Sequence, residues 1–309
     1  MTMNRGALLL MLCSSLILGG CASTPSATTY AELGNAGAEY SKNLSLLINS
    51  AEAMAIDGVS VTLIGRSALN TTRDPNINKT IEDQLLAHNE NDVNRIAQYN
   101  RLRAHIGAMH EYFSLVSKYA GSDESEETAT AFTDLTKGID GLTLALTDQT
   151  VFNLTDDQKT RIGIVVNFVI DQRKRSYLQK RLKEDSAVLF PALQLHAEMF
   201  TLFEANMRKD FATIKRRQME WLLTKPLMDG GILNVNPNQA LKWMDDRKAL
   251  LNQEASLAEL RKVVKASNKF KKLLTNVIEG KEGALIKLDR FATSLEETRR
   301  VLIALKGGE

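Results

Sequence analysis

Four histidines are the side chains best able to ligate a metal or move a proton: His88, His105, His110 and His196. Neutral imidazole is a common ligand and titrates near neutrality. Their spacing argues against a metal. No Glu stands three residues before any of them, so the Glu-x-x-His element of di-iron bundles is missing. His110-Glu111 is followed by Tyr112, Phe113 and Ser114, which is not His-Glu-x-x-His. On a helix, His105 and His110 point about 140° apart and do not share an ion. His196 falls between Leu193 and Phe200 on an apolar seam, the place of a hydrogen-bonded core histidine.

Nucleophile and phosphate signatures are equally thin. Beyond the first 20 residues there is no Gly-x-Ser-x-Gly, no Ser-x-x-Lys, no Walker loop and no Gly-x-Gly-x-x-Gly. The carboxylate pairs Asp156-Asp157 and Asp245-Asp246 are adjacent, and neighbours on a helix diverge by about 100°. No catalytic residue, metal site or cofactor is therefore expected. Trp221 and Trp243 flank the stretch from Pro226 to Pro237 and read as rings closing a helix end, with a small aromatic ligand surface as the alternative.

Both cysteines, Cys13 and Cys21, lie in the first 21 of 309 residues, so no disulfide can staple the folded body. Ala7 to Leu18 is an apolar run of the length of a signal-peptide core, too short to span about 30 Å of hydrocarbon. It ends in Leu18-Gly19-Gly20-Cys21, which resembles the lipobox of bacterial lipoproteins. The resemblance covers the leader only. It implies removal of residues 1–20, diacylglycerol on the Cys21 sulfur and acylation of the new amino group. Ala22, where the lipoproteins retained at the inner membrane resemble one another in carrying Asp, implies the periplasmic face of the outer membrane. Two or three acyl chains, at about 0.8 kcal/mol per buried methylene, make a firm anchor. Residues 21–29 then form the lipidated end of a short uncharged tether.

From Tyr30 onward apolar residues recur at three- and four-residue steps, the helical period. Tyr40, Leu44, Leu47, Ala51, Met54, Gly58, Val61, Gly65 and Ala68 form one seam, and its small members let a neighbouring helix approach. Further seams run through Leu102 to Ala120, Phe132 to Leu146, Leu182 to Met207, Leu257 to Ile278 and Leu285 to Leu302. Thr155 to Gln158 has capping-box spacing, and Asn236-Pro237 places a capping residue before a first-turn proline. Pro191 is in phase with its seam, so one long helix is expected through it, with an end at Lys225-Pro226 and Gly230-Gly231. No strand-like alternation appears. The expected fold is all-α, an antiparallel bundle of about six or seven long helices with coiled-coil-like seams.

The net charge of +2 conceals a polarity. Residues 21–160 carry 19 acidic and 10 basic side chains, net −9; residues 161–309 carry 18 and 28, net +10. An acidic part over 30–150 and a basic part over 151–309 follow, as two units or one continuous domain. The densest basic run is Arg173, Lys174, Arg175, Lys180, Arg181 and Lys183. It is the candidate surface for an anionic partner such as lipid head groups, cell-wall polymer or an acidic protein. Nucleic acid is the least attractive anionic partner and no nucleic-acid partner is expected, given the leader's resemblance to an export signal, the lack of a binding motif and Tyr177 as the single aromatic residue within the run. The expected function is a non-enzymatic, lipid-anchored adaptor that binds an envelope protein or cell-wall component. The alternatives are a periplasmic enzyme acting on cell-wall glycan or lipid, marked by a deep pocket lined by two carboxylates or by His with Glu, and a small-ligand or metal carrier, marked by His196 or His110 in an open cavity.

Overall fold

Ser26 starts the first helix. Its Oγ accepts the Thr29 amide at 3.2 Å and meets the Thr29 hydroxyl at 3.0 Å, satisfying a first-turn donor that has no partner within the helix. The computed structural model describes residues 25–68, 75–120, 126–147, 154–163, 177–228 and 236–305. Within them lie α1 (Ala27–Ala68), α2 (Pro75–Lys118), α3 (Glu126–Thr147), α4 (Asp156–Gly163), α5 (Tyr177–Gln218), α6 (Pro237–Ile278) and α7 (Ala284–Leu305). Six of the seven are at least 22 residues long, α4 has eight, and no strand occurs among the described residues. The tether expected over 21–29 is shorter than the composition suggested: Ala27 to Thr29 are already helical, and Thr29 and Tyr30 are buried.

Both capping signatures form. Thr155 and Gln158 exchange side-chain and backbone bonds at 2.8 and 3.3 Å, and Asn236 Oδ1 accepts the Gln239 amide at 3.2 Å with Pro237 at the first helical position. Replacing Asn236 by Ala should cost about 1 kcal/mol and lower the melting temperature by about 2–4 °C in a calorimetric scan, since this cap is exposed. Pro191 lies inside α5, which remains one helix. Pro226 does not end it. A π-helical segment, Met219–Thr224, absorbs the irregularity beside the proline, and one more α turn, Lys225–Met228, follows. Gly280 and Gly283, with φ of 67° and 71°, make the turn into α7.

Pairings fix the topology. Asn35 meets Ser117, Ala38 meets His110 and Glu52 meets Arg103, so one number falls as the other rises and α1 and α2 are antiparallel. Along α1 and α5, Tyr40 meets His196, and a Cβ on Gly58 or Gly65 would touch Asp210 or Arg217, so these two run parallel. By the same reading α3, α5 and α7 point with α1, while α2 and α6 point against it. Helices joined by short connections are thus antiparallel, and the parallel step from α3 to α5 is taken across the stretch that holds α4.

Helix α1 is the centre, packed on α2, α5, α6 and α7. A Cβ on Gly34 would stand 2.6 Å from the Phe113 carbonyl oxygen, and one on Gly37 would enter the Phe113 ring, so these glycines let α2 lie directly on α1. One apolar core runs from Tyr30 to Leu305, and the acidic and basic parts contribute to it together.

Candidate functional site

Five polar side chains of the core, one from each of five helices, join at mid-bundle in a chain of hydrogen bonds. Ser267 Oγ of α6 lies 2.6 Å from Tyr40 Oη of α1, which lies 3.2 Å from His196 Nδ1 of α5. His196 Nε2 is 3.0 Å from His105 Nδ1 of α2, and His105 Nε2 is 2.9 Å from Thr143 Oγ1 of α3. The Thr143 hydroxyl donates to the Ile139 carbonyl at 2.8 Å. That last bond sets the direction of all the others. With its proton committed, Thr143 accepts from His105 Nε2–H, leaving His105 Nδ1 to accept from His196 Nε2–H; His196 Nδ1 then accepts from Tyr40, and Tyr40 from Ser267.

Burial pushes His105 down to about 4, and burial, then the neighbouring His105, pushes His196 well below its ordinary value. Both rings are therefore neutral at pH 7, and Tyr40, raised by burial, keeps its proton. Tyr40, His105, His196 and Ser267 are all 0% exposed. A chain of this kind orients the helices about one another and offers no substrate an entrance. His196 is the core histidine its seam position implied. His110 is half-buried and donates from Nδ1 to the Ala38 carbonyl at 3.1 Å. Neither opens into a described cavity, which removes the observation that would have favoured a carrier. No three His, Cys, Asp or Glu side chains converge among the described residues.

The basic run divides. Arg173, Lys174 and Arg175 lie outside the described residues, as does Cys21. Lys180 is exposed and Lys183 half-buried. Arg181 is paired inside the bundle, its side chain 16% exposed. Its Nε donates to Asp185 Oδ2 at 2.8 Å, its guanidinium lies 5.9 Å from the centre of the Phe132 ring, and the same Asp185 oxygen accepts the Tyr112 hydroxyl at 2.7 Å. Burial raises the Asp185 carboxyl, and Tyr112 and Arg181 offset part of that rise. A second internal cluster ties α4 to α5: Arg161 grips both Glu198 oxygens, at 2.9 and 3.1 Å, and Gln194 and Gln158 add bonds. Burial raises Glu198, but these donors outweigh it and hold its carboxyl below the ordinary value.

Two other features face solvent. A cavity of about 360 Å³ opens between α1, α2 and α5, lined by Arg95, Tyr99, Phe203, Asn206 and Asp210 among others; Asp210 is its single carboxylate. Neither two carboxylates nor a His with a Glu, the marks of the enzyme alternative, lines it. At the end of the α5–α6 hairpin, Met219, Leu222, Leu227, Met228, Leu241 and Met244 are exposed, Met228 to 76%. Trp243 closes this end by donating from Nε1 to the Leu223 carbonyl at 3.1 Å, and Trp221 lies against Arg217.

Seam reading located His196 but missed its partners. The signal was present: Ser267 and Tyr40 are hydroxyls at positions otherwise apolar. Local spacing compares His105 with His110, five residues away, whereas its hydrogen-bond partner His196 is 91 residues away. Compared with known proteins, the chain matches no family model, no curated protein and no solved structure.

Proposed function

We propose that the protein is a lipid-anchored adaptor of the periplasmic face of the outer membrane, held by Cys21 at one end and docking an envelope protein at the other. The observation that carries this reading is the exposed apolar tip of the α5–α6 hairpin, at the opposite end of the bundle from the start of α1. Ala27 lies 13 residues before Tyr40, and Met228 lies 32 residues beyond the His196 that Tyr40 meets. At 1.5 Å per residue the two ends are about 70 Å apart. A membrane holding Cys21 is thus remote from the tip of an upright bundle, and the apolar side chains there face a different partner. Residues 208–251 carry nine basic and five acidic side chains, which favours a partner with an acidic rim around an apolar centre. Lys180 and Lys183 stand at the anchor end, where anionic head groups would be their counter-charges.

The test places a photo-crosslinking residue at Met228 or, as control, at exposed Arg299, in the full chain expressed in its envelope. Met228 should give one discrete adduct that Arg299 does not, and Leu227→Glu should abolish it without lowering the melting temperature. Cys21→Ser should move the chain from the membrane pellet to the soluble fraction. Identical or absent adducts at the two positions would overturn tip docking, and a Cys21→Ser protein that stays in the pellet after a high-salt wash would overturn the anchor.

A further inference from the structure

The cavity between α1, α2 and α5 has a composition that packing does not account for. Its floor is small and aromatic: Ala55 of α1 leaves the space, and Tyr99 and Phe203 face each other at 5.6 Å, tilted by 54°. Opposite charges line it from two helices. Asp210 of α5 and Arg95 of α2 both contribute to the wall, yet they form no ion pair with each other within 4.0 Å; the ion partner of Arg95 among the described residues is Asp92, at 3.9 Å. Asp210 is half-buried, and burial raises its carboxyl while Arg95 and then Lys209 pull it back. Gly58 leaves room beside this carboxylate: a Cβ there would stand 3.3 Å from Asp210 Cβ and 3.5 Å from Oδ1. Asn206 adds an amide with both a donor and an acceptor.

One carboxylate, Asp210, and two cations, Arg95 and Lys209, beside the Tyr99–Phe203 pair suit a ligand that carries an ammonium and a carboxylate on one carbon and an apolar group beside them. We propose that this cavity binds a free α-amino acid with an apolar side chain, its carboxylate on Arg95, its ammonium on Asp210 and its side chain over Tyr99 and Phe203. About 360 Å³ is at the small end of the few-hundred-Å³ range of small-molecule sites, which suits one such molecule. Peptides longer than two residues separate their amine from their carboxylate and fit this arrangement poorly. The inference stands apart from tip docking, since the cavity is set back from the hairpin end and neither needs the other.

The experiment is a calorimetric titration of the full chain in detergent with L- and D-leucine, L- and D-phenylalanine, N-acetylphenylalanine, phenylalaninamide and glucose. Concentrations run up to about 10 mM, where even a millimolar site saturates. Saturable binding of leucine or phenylalanine is expected, weakened at least about tenfold by capping either end of the amino acid and by Asp210→Asn or Arg95→Gln. Ala55→Phe, which fills the floor, should abolish it. Each variant is accepted only if its melting temperature matches the parent, so a folding defect is not read as lost binding. No heat with any amino acid, equal affinity for the capped forms, unchanged affinity in Asp210→Asn, or binding of glucose instead would each overturn the proposal.

Discussion

Acidification from neutrality to about pH 4 should lower the melting temperature by about 10 °C, and the double replacement His105→Leu with His196→Leu should remove most of that loss. The sign follows from proton uptake. In the unfolded chain a histidine takes its proton near 6.5, whereas His105 in the bundle does so only near 4. Between those values the unfolded state holds the extra proton, so stability falls as pH drops through 6.5 and levels off below about 4. A displacement of that size corresponds to about 3 kcal/mol for His105, and His196, held well below its ordinary value by burial and then by the neighbouring His105, adds to the fall in the same direction. Asp185 and Asp210, whose carboxyls burial raises, act in the opposite sense, nearer the ordinary carboxylate range.

The double variant is informative because the chain of bonds closes without the imidazoles. Thr143 already donates to the Ile139 carbonyl, and Tyr40 and Ser267 still have each other at 2.6 Å. A single His196→Leu change, by contrast, leaves His105 Nδ1 buried with no donor and should cost about 1–3 kcal/mol at pH 7. Thermal scans of the parent, the single and the double variant between neutrality and acid decide the matter. An unchanged pH slope in the double variant would mean that acid sensitivity originates elsewhere.

What the sequence made legible was whatever depends on local spacing. The seam from Tyr40 to Met54 is buried as expected, and the caps at Thr155 and Asn236 form because their donors and acceptors are three residues apart. Pairings across the bundle were not legible, because seams state which face is buried and not what it is buried against. His105 to His196 spans 91 residues and Tyr40 to Ser267 spans 227, and no local rule addresses such pairs. Gly34 and Gly37 lie before the seam that starts at Tyr40, so that seam does not include the close approach of α2 to α1 at these glycines. The internal pairing of Arg181 was hidden for a related reason. Arg181 and Asp185 are four apart on one helix, a spacing that says they can pair, but the burial that makes the pair obligatory comes from Tyr112 and Phe132 on two other helices.

Arg181→Met should therefore destabilise the protein by about 3 kcal/mol or more, whereas Lys180→Gln and Lys183→Gln should each stay within about 0.5 kcal/mol of the parent. The Arg181 side chain is 16% exposed and that of Asp185 4%, so removing the guanidinium strands a carboxylate that water does not reach. Tyr112 still donates to it, but one neutral hydroxyl does not replace a charge-assisted bond. Adding Asp185→Asn to Arg181→Met removes the stranded charge while keeping an oxygen for Tyr112, and should recover more than half of the loss. Urea unfolding at constant slope reads these differences as shifts in midpoint. A surface cation that serves only a partner would behave otherwise: its loss would weaken binding and leave the midpoint alone. If Arg181→Met shifts the midpoint no more than Lys180→Gln does, the buried pair contributes little and Arg181 returns to the anionic-partner surface; if it shifts as expected, the described part of that surface reduces to Lys180 and Lys183, both at the anchor end of the bundle.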